Sequence, residues 1–176
     1  MARSNLIKVR FDAGTIVWED GSDPVLSHTV RFDGADFSAS GLKPGQRESV
    51  VIQGRGKLRS VRRGQRTFPQ ISFTLEVAEF SEASAGTFLD FLYGKAGTPY
   101  AARVSQDTTS MDVDNFKCTL TIEGTDIGDD NDHQLVFNKV EVTEASYTQG
   151  EPDTISVTGT VYGDIGGDIV DSGLDA

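Results

Sequence analysis

Four aspartates within seven residues, Asp126, Asp129, Asp130 and Asp132, form the densest group of hard oxygen ligands in the chain. Clustered carboxylates of this kind are what a calcium ion takes. The order of an EF-hand is missing, because no glycine stands at the sixth position and no closing glutamate at the twelfth. The group therefore reads as a solvated acidic loop or a contact surface, and no metal is expected. Gly54-Arg55-Gly56-Lys57 has the look of a phosphate loop, yet it lacks the earlier glycine, the Ser or Thr after lysine and a following helix. The two histidines, His28 and His133, stand far apart in unlike surroundings, so nothing nominates a base beside a nucleophile. Cys118 lies on the apolar side of an alternating segment and reads as a small core residue. No pair of carboxylates is singled out for acid–base work, so neither catalytic residues nor a cofactor are expected.

The remaining group with chemical character is basic. Arg55, Lys57, Arg59, Arg62, Arg63 and Arg66 crowd into twelve residues. Nucleic acid is one partner for such a field, but no aromatic residue for base stacking comes before Phe68, and the rest of the chain repels phosphate. An acidic protein surface fits better. Residues 1–103 carry fourteen Lys or Arg and eleven acids, whereas residues 104–176 carry only Lys117 and Lys139 against sixteen acids. A basic segment and an acidic half on one chain attract each other across copies. The six cations and the four aspartates are accordingly the candidate subunit-interface residues, the alternative being two solvated faces of a monomer.

The elements that must hold these groups are mostly strands. Ile7, Val9 and Phe11 alternate with Lys8 and Arg10, and Thr15–Glu19 carries Ile16 and Trp18 on one face. Short strands are expected at residues 28–33 and 36–40. A long hairpin is expected over about residues 47–80, with Arg62-Arg63-Gly64-Gln65 at its tip and Ile71, Phe73, Leu75 and Val77 on the buried face of its return strand. One helix is expected over about 82–93, capped by Ser81 or Ser84 and ended by Gly94, with Ala85, Phe88, Leu89 and Leu92 at helical spacing. Thr98-Pro99-Tyr100 opens an expected short strand running to about Val104, and Ser105–Asn115 is expected to be a loop. Phe116, Cys118, Leu120 and Ile122 alternate in the next strand. Leu135 and Phe137 lie in one phase and Val140 and Val142 in the other, which predicts a bulge near Asn138-Lys139. A last strand carries Ile155, Val157 and Val161.

The chain of 176 residues suits a single domain over residues 1–163, followed by an acidic, glycine-rich tail at 164–176. A net charge of −11 excludes a protein whose whole surface clamps nucleic acid, and one cysteine excludes an intramolecular disulfide framework. No apolar run approaches the roughly 20 residues that cross a membrane as a helix, so no membrane partner is expected. The fold class that follows is mainly β, a β-sandwich or partial barrel with one short flanking helix and a long β-hairpin.

The order of these elements resembles that of the tail tube proteins (major tail proteins) of long-tailed bacteriophages. The resemblance rests on the hairpin from Glu48 to Val77, the single helix of Ser81–Tyr93, the short strand after Gly97-Thr98-Pro99, and the long strands Phe116–Gly124, Gln134–Tyr147 and Thr154–Tyr162. It spans about residues 6–163 as a pattern of elements rather than a signature motif. The resemblance implies hexameric rings stacked into a hollow virion tail tube, assembled in the host cytoplasm. Strands of neighbouring subunits would line a bore through which DNA passes without specific binding. It also implies other tail proteins at the tube ends, and extended hairpins or arms joining ring to ring. The tube proteins of type VI secretion share the architecture. A carbohydrate-binding β-sandwich is the other class, with Trp18, Tyr93, Tyr100, Tyr147 and Tyr162 as candidate stacking residues.

Overall fold

Runs that alternate in polarity pair into sheets because only one face of each can leave water. The computed structural model describes residues 14–31, 37–43, 45–76, 86–122, 133–151 and 153–167. In chain order the elements are β1 (Gly14–Glu19), β2 (Ser27–Arg31), β3 (Phe37–Ser40), β4 (Arg47–Gly54), β5 (Lys57–Arg66), β6 (Gln70–Glu76), α1 (Phe88–Tyr93), β7 (Phe116–Ile122), β8 (His133–Thr148), β9 (Thr154–Val161) and β10 (Ile165–Gly166). Eight strands form one antiparallel sheet in the order β2-β1-β7-β8-β9-β6-β3, with β10 also on β8. The sheet is not closed into a barrel, since β2 and β3 do not pair. The expected fold class is the observed one. Residues 7–11, Val77, the candidate caps Ser81 and Ser84, and Ala85 lie outside the described residues.

β8 organises this sheet. Its first half, His133–Val140, pairs with β7, and its second half, Val140–Thr148, pairs with β9. Three residues of β7, Phe116 to Cys118, stand opposite four of β8, Phe137 to Val140. The bulge therefore falls where the change of apolar phase predicts it, and Lys139 takes a left-handed φ of 54°. That conformation costs a residue with a Cβ about 1 kcal/mol. It is offset locally: the Lys139 amide donates to Gln106 Oε1 at 2.8 Å and its ammonium meets Asp107 at 2.6 Å. Across the bend, Gly163 donates to the Asn138 carbonyl, and a Cβ there would lie 2.5 Å from that oxygen, so only glycine fits. Asn138 in turn donates to the Asp164 carbonyl from both its amide and its side chain. These bonds bring Ile165 and Gly166 onto β8, so the sheet claims the first residues of the expected tail.

Bent at this point, the two wings of the sheet face each other. Trp18 of β1 lies 5.8 Å from Phe73 of β6, and Phe37 of β3 lies 6.0 Å from Phe137 of β8, centroid to centroid. Between them sit Ile16, Ile71, Phe116, Cys118, Val140, Val157 and Val161, all buried. Burial pushes the Cys118 thiol far above its ordinary pKa, as suits an inert core residue. The Trp18 indole N–H has no acceptor among the described residues, a desolvation cost that the burial of the ring outweighs.

The helix is shorter than expected. Gly86 with φ +67° and Thr87 in an extended conformation precede it, so it begins at Phe88 and not near residue 82. Thr87 Oγ1 accepts from the Asp90 amide at 3.0 Å while Asp90 accepts from the Thr87 amide at 2.9 Å, a reciprocal cap. Gly94 ends the helix in the left-handed conformation, as expected. The face turned to the core is Phe88 and Phe91, three residues apart, with Leu89 and Leu92 only partly buried beside it. Phe88 touches Trp18 and Phe73, and Phe91 touches Phe116. The helix thus packs against residues of both wings.

Residues 98–102 are a bend and turns and 103–104 are irregular, in place of the expected strand, and Tyr100 is drawn inward. Its hydroxyl bonds His28 Nδ1 at 2.8 Å, and the His28 ring packs against Phe88, Phe91 and Tyr100. Burial depresses the His28 pKa, only partly opposed by the Asp90 carboxylate. The loop at 105–115 is tied down by buried Asn115, which bonds the Asp107 amide and carbonyl and the Val113 carbonyl.

Two outcomes follow. Phe73→Ala or Phe91→Ala costs about 3–5 kcal/mol in denaturant unfolding, while Tyr93→Ala, on a residue 78% exposed, stays within about 0.5 kcal/mol. Equal effects at Phe91 and Tyr93 would contradict this packing. The depressed His28 pKa means that, below the unfolded value of 6.5, the unfolded chain takes up a proton that the folded chain resists. Stability is therefore lost as pH falls from about 6.5 toward the folded value, and the wild-type advantage over His28→Gln shrinks on acidification. Parallel pH–stability curves for the two proteins would remove His28 from the account.

Candidate assembly interface

The six cations lie on an element that takes no part in the core. Among the described residues β4 and β5 pair only with each other, as a separate two-stranded sheet. The hairpin is shorter than the expected 47–80, and it reverses at Arg55-Gly56 rather than at Arg62–Gln65. Gly54 pairs with Lys57, and the two residues between them have φ of 52° and 71°, the pair of positive values that a two-residue hairpin turn of this hand requires. Gly64, which resembled a tip, sits in the strand beside Glu48 and Val50, where the register shifts by one residue. The strand with Ile71, Phe73 and Leu75 pairs instead with β3 and β9, which is why those three side chains are buried as expected.

Every named cation on this hairpin is exposed: Arg55 at the turn, and Lys57, Arg59, Arg62, Arg63 and Arg66 along β5. Arg47 adds a seventh charge, directly opposite Arg66, and Glu48 is the only acid between residues 47 and 66. Like charges facing across a ladder destabilise it. Among the described residues no carboxylate lies within ion-pair distance of any of these seven. The apolar residues offer no compensation, since Val50, Val51, Leu58 and Val61 are between 46% and 64% exposed. A lone two-stranded ribbon is marginal in water even without such repulsion. The hairpin joins the body at its base, where Arg66 lies over Phe68, Phe68 packs edge-on against Tyr162, and Tyr162 donates to Glu141 at 2.9 Å.

Asp126, Asp129, Asp130 and Asp132 lie outside the described residues. The structure does expose a second acidic surface that the sequence analysis passed over. β8 runs eight residues beyond Val140, its last pairing with β7, so Glu141–Thr148 is hydrogen-bonded on the β9 side alone among the described residues. Residues 143–148 are exposed on both faces. Ala145 and Tyr147 stand beside buried Val157 and Ile155, on the row that continues to Phe73 and Leu75, yet Tyr147 is 56% exposed, with no described strand of the other wing over it. Glu141, Glu144, Glu151 and Asp153 surround this edge, and the chain has no Lys or Arg after Lys139. Asp153 accepts from the Tyr147 hydroxyl and the Gly150 amide, which lowers its pKa and fixes the end of the β8–β9 turn. The signal in the sequence was the length of β8 combined with the end of its apolar alternation at Val142.

Of the aromatic residues considered for sugar stacking, Trp18 and Tyr100 are buried. No protein-family model and no curated protein matches this chain. Among solved structures it is similar to a chain from the sheath–tube complex of an extracellular contractile injection system, PVC, in its extended state. That similarity has a TM-score of 0.43 at 13% identity and covers 88% of this chain and 87% of the other. A likeness of that degree bears on neither assembly nor activity, which rest on the residues of this chain.

Proposed function

We propose that this chain is a non-catalytic structural subunit that assembles with copies of itself, through its basic hairpin, into stacked rings forming a hollow tube. The observation that carries this reading is the hairpin itself. Twenty residues with seven cations and one acid, with Val50, Val51, Leu58 and Val61 exposed to water, stand apart from the core. A segment of that kind gains stability only where a partner supplies negative charge and covers its edges. The remainder of the chain is strongly acidic, so a second copy is itself such a partner. The order of elements takes the reading further, to the tail tube of a long-tailed phage, with six subunits to a ring and DNA passing through an acidic bore. A type VI secretion tube is the related assembly. A carbohydrate-binding module is less well supported, because burial withdraws Trp18 and Tyr100 from any stacking platform.

Purified protein is expected to form rings or tubes in negative-stain images and fast-sedimenting species on concentration. An exposed ion pair contributes only about 0–1 kcal/mol, so a single arginine is not decisive, but several repeated around a ring are. Replacing Arg59, Arg62, Arg63 and Arg66 together with Ser should shorten or abolish the assemblies while far-UV circular dichroism and the core unfolding transition stay as in the parent. A quadruple variant that polymerises like the parent at the same salt would reduce the hairpin to a solvated face. A parent that remains a strict monomer would overturn the function.

A further inference from the structure

We infer that the surface receiving the hairpin is the uncovered edge of β8, Glu141–Thr148, on a second copy of the chain. The inference rests on the self-assembly proposed above and names its joint. The unpaired edges on the described residues differ in kind. β2 offers five residues with α1 beside it, and β3 offers four, followed by Lys43. The β8 edge is longer, eight residues, and equals β4 in length. At about 3.4 Å per residue it spans about 27 Å, room for a full additional strand. Backbone groups along it that face away from β9 have no partner among the described residues, as have those on the outer edges of β4 and β5. Docking the ribbon there satisfies the β8 edge and one outer edge of the hairpin at once.

Charge and apolar surface select the same pairing. The hairpin brings seven cations, and the β8 edge is framed by Glu141, Glu144, Glu151 and Asp153 with no cation after Lys139. Val50, Val51, Leu58 and Val61 on one side, and Ala145 and Tyr147 on the other, are exposed apolar groups that a docked ribbon covers. Among the described residues β4 and β5 pair only with each other, which leaves the edge open to another copy. Because each subunit carries one hairpin and one edge, the contact is head-to-tail, the kind that closes a ring or propagates a stack.

A charge exchange tests this. Glu144, Glu151, Arg62 and Arg63 are exposed, and their side chains make none of the hydrogen bonds observed among the described residues. One variant carries Glu144→Lys and Glu151→Lys, the other Arg62→Glu and Arg63→Glu. Each alone should assemble at least tenfold less than the parent by sedimentation velocity, and an equimolar mixture should recover. Each substituted hairpin then meets a substituted edge, which restores opposite charges at those four positions, and each unchanged hairpin meets an unchanged edge. Thermal unfolding of each variant checks the fold, and Glu144→Gln with Glu151→Gln, which removes charge without adding it, should weaken assembly to an intermediate degree. A parent that assembles while the mixture stays dispersed overturns the joint and leaves the self-assembly reading intact. Assembly of either charge-reversed variant like the parent also overturns the joint. Loss of duplex-DNA binding by the hairpin variant with assembly unchanged would assign the hairpin to phosphate instead. A parent that never assembles overturns both readings.

Discussion

The structure depends on one strand serving two sheet wings. β8 can do so because Asn138 and Lys139 insert a bulge that turns the strand and shifts its apolar phase, from Leu135 and Phe137 to Val140. Without that shift, residues beyond the bend would point their apolar side into water. The left-handed Lys139 is held by Gln106 and Asp107 on one side, and Asn138 by Gly163 and Asp164 on the other. Lys139, followed by bonds from Ser110 and Thr109, keeps the Asp107 carboxylate well below its usual pKa, so the loop at 105–115 belongs to the same lock. The core that results, from Trp18 across to Phe73, is closed by a six-residue helix whose cap at Thr87 is set by Asp90.

The same bend creates the open surface. Because β7 ends its pairing at Val140 while β8 continues to Thr148, the second half of β8 lacks, among the described residues, a neighbour on one edge and a covering layer over Tyr147. The hairpin of β4 and β5 is the complementary case, a ribbon with charge and apolar surface but no layer to rest on. A fold complete in its core and incomplete at two sites of opposite charge is organised for contact with further copies.

Much of this was legible in the residues. Alternation gave Ile16 and Trp18, the row from Ile71 to Leu75, the row from Phe116 to Leu120, and the phase change at Asn138-Lys139. What was missed is non-local or set by dihedral angles. Nothing in the composition of Arg62–Gln65 distinguishes a tip from a bulge, whereas Arg55-Gly56 reverses the chain because both residues adopt positive φ. The helix starts at Phe88 because Gly86 has a positive φ and Thr87 is an extended cap, and Phe91 enters the core because it shares a face with Phe88 three residues earlier. The expected strand at 98–104 gave way to Tyr100, whose partner His28 is 72 residues away. The acidic edge of β8 was hidden for the same reason, since a strand's lack of a neighbour is a property of the other strands.

The central claim is that the hairpin and the β8 edge are left incomplete in one subunit and completed by another. Amide hydrogen exchange, compared between dilute subunit and assembled protein, reads this directly. Exchange in the dilute subunit should be fast across residues 47–66 and along the free edge of 141–148, while Ile16–Trp18, Ile71–Leu75 and the β8 half that pairs with β7 remain protected. On assembly both fast regions should slow together. Protection of the hairpin in the dilute subunit equal to that of the core, or assembly that leaves both regions exchanging as before, would contradict the account.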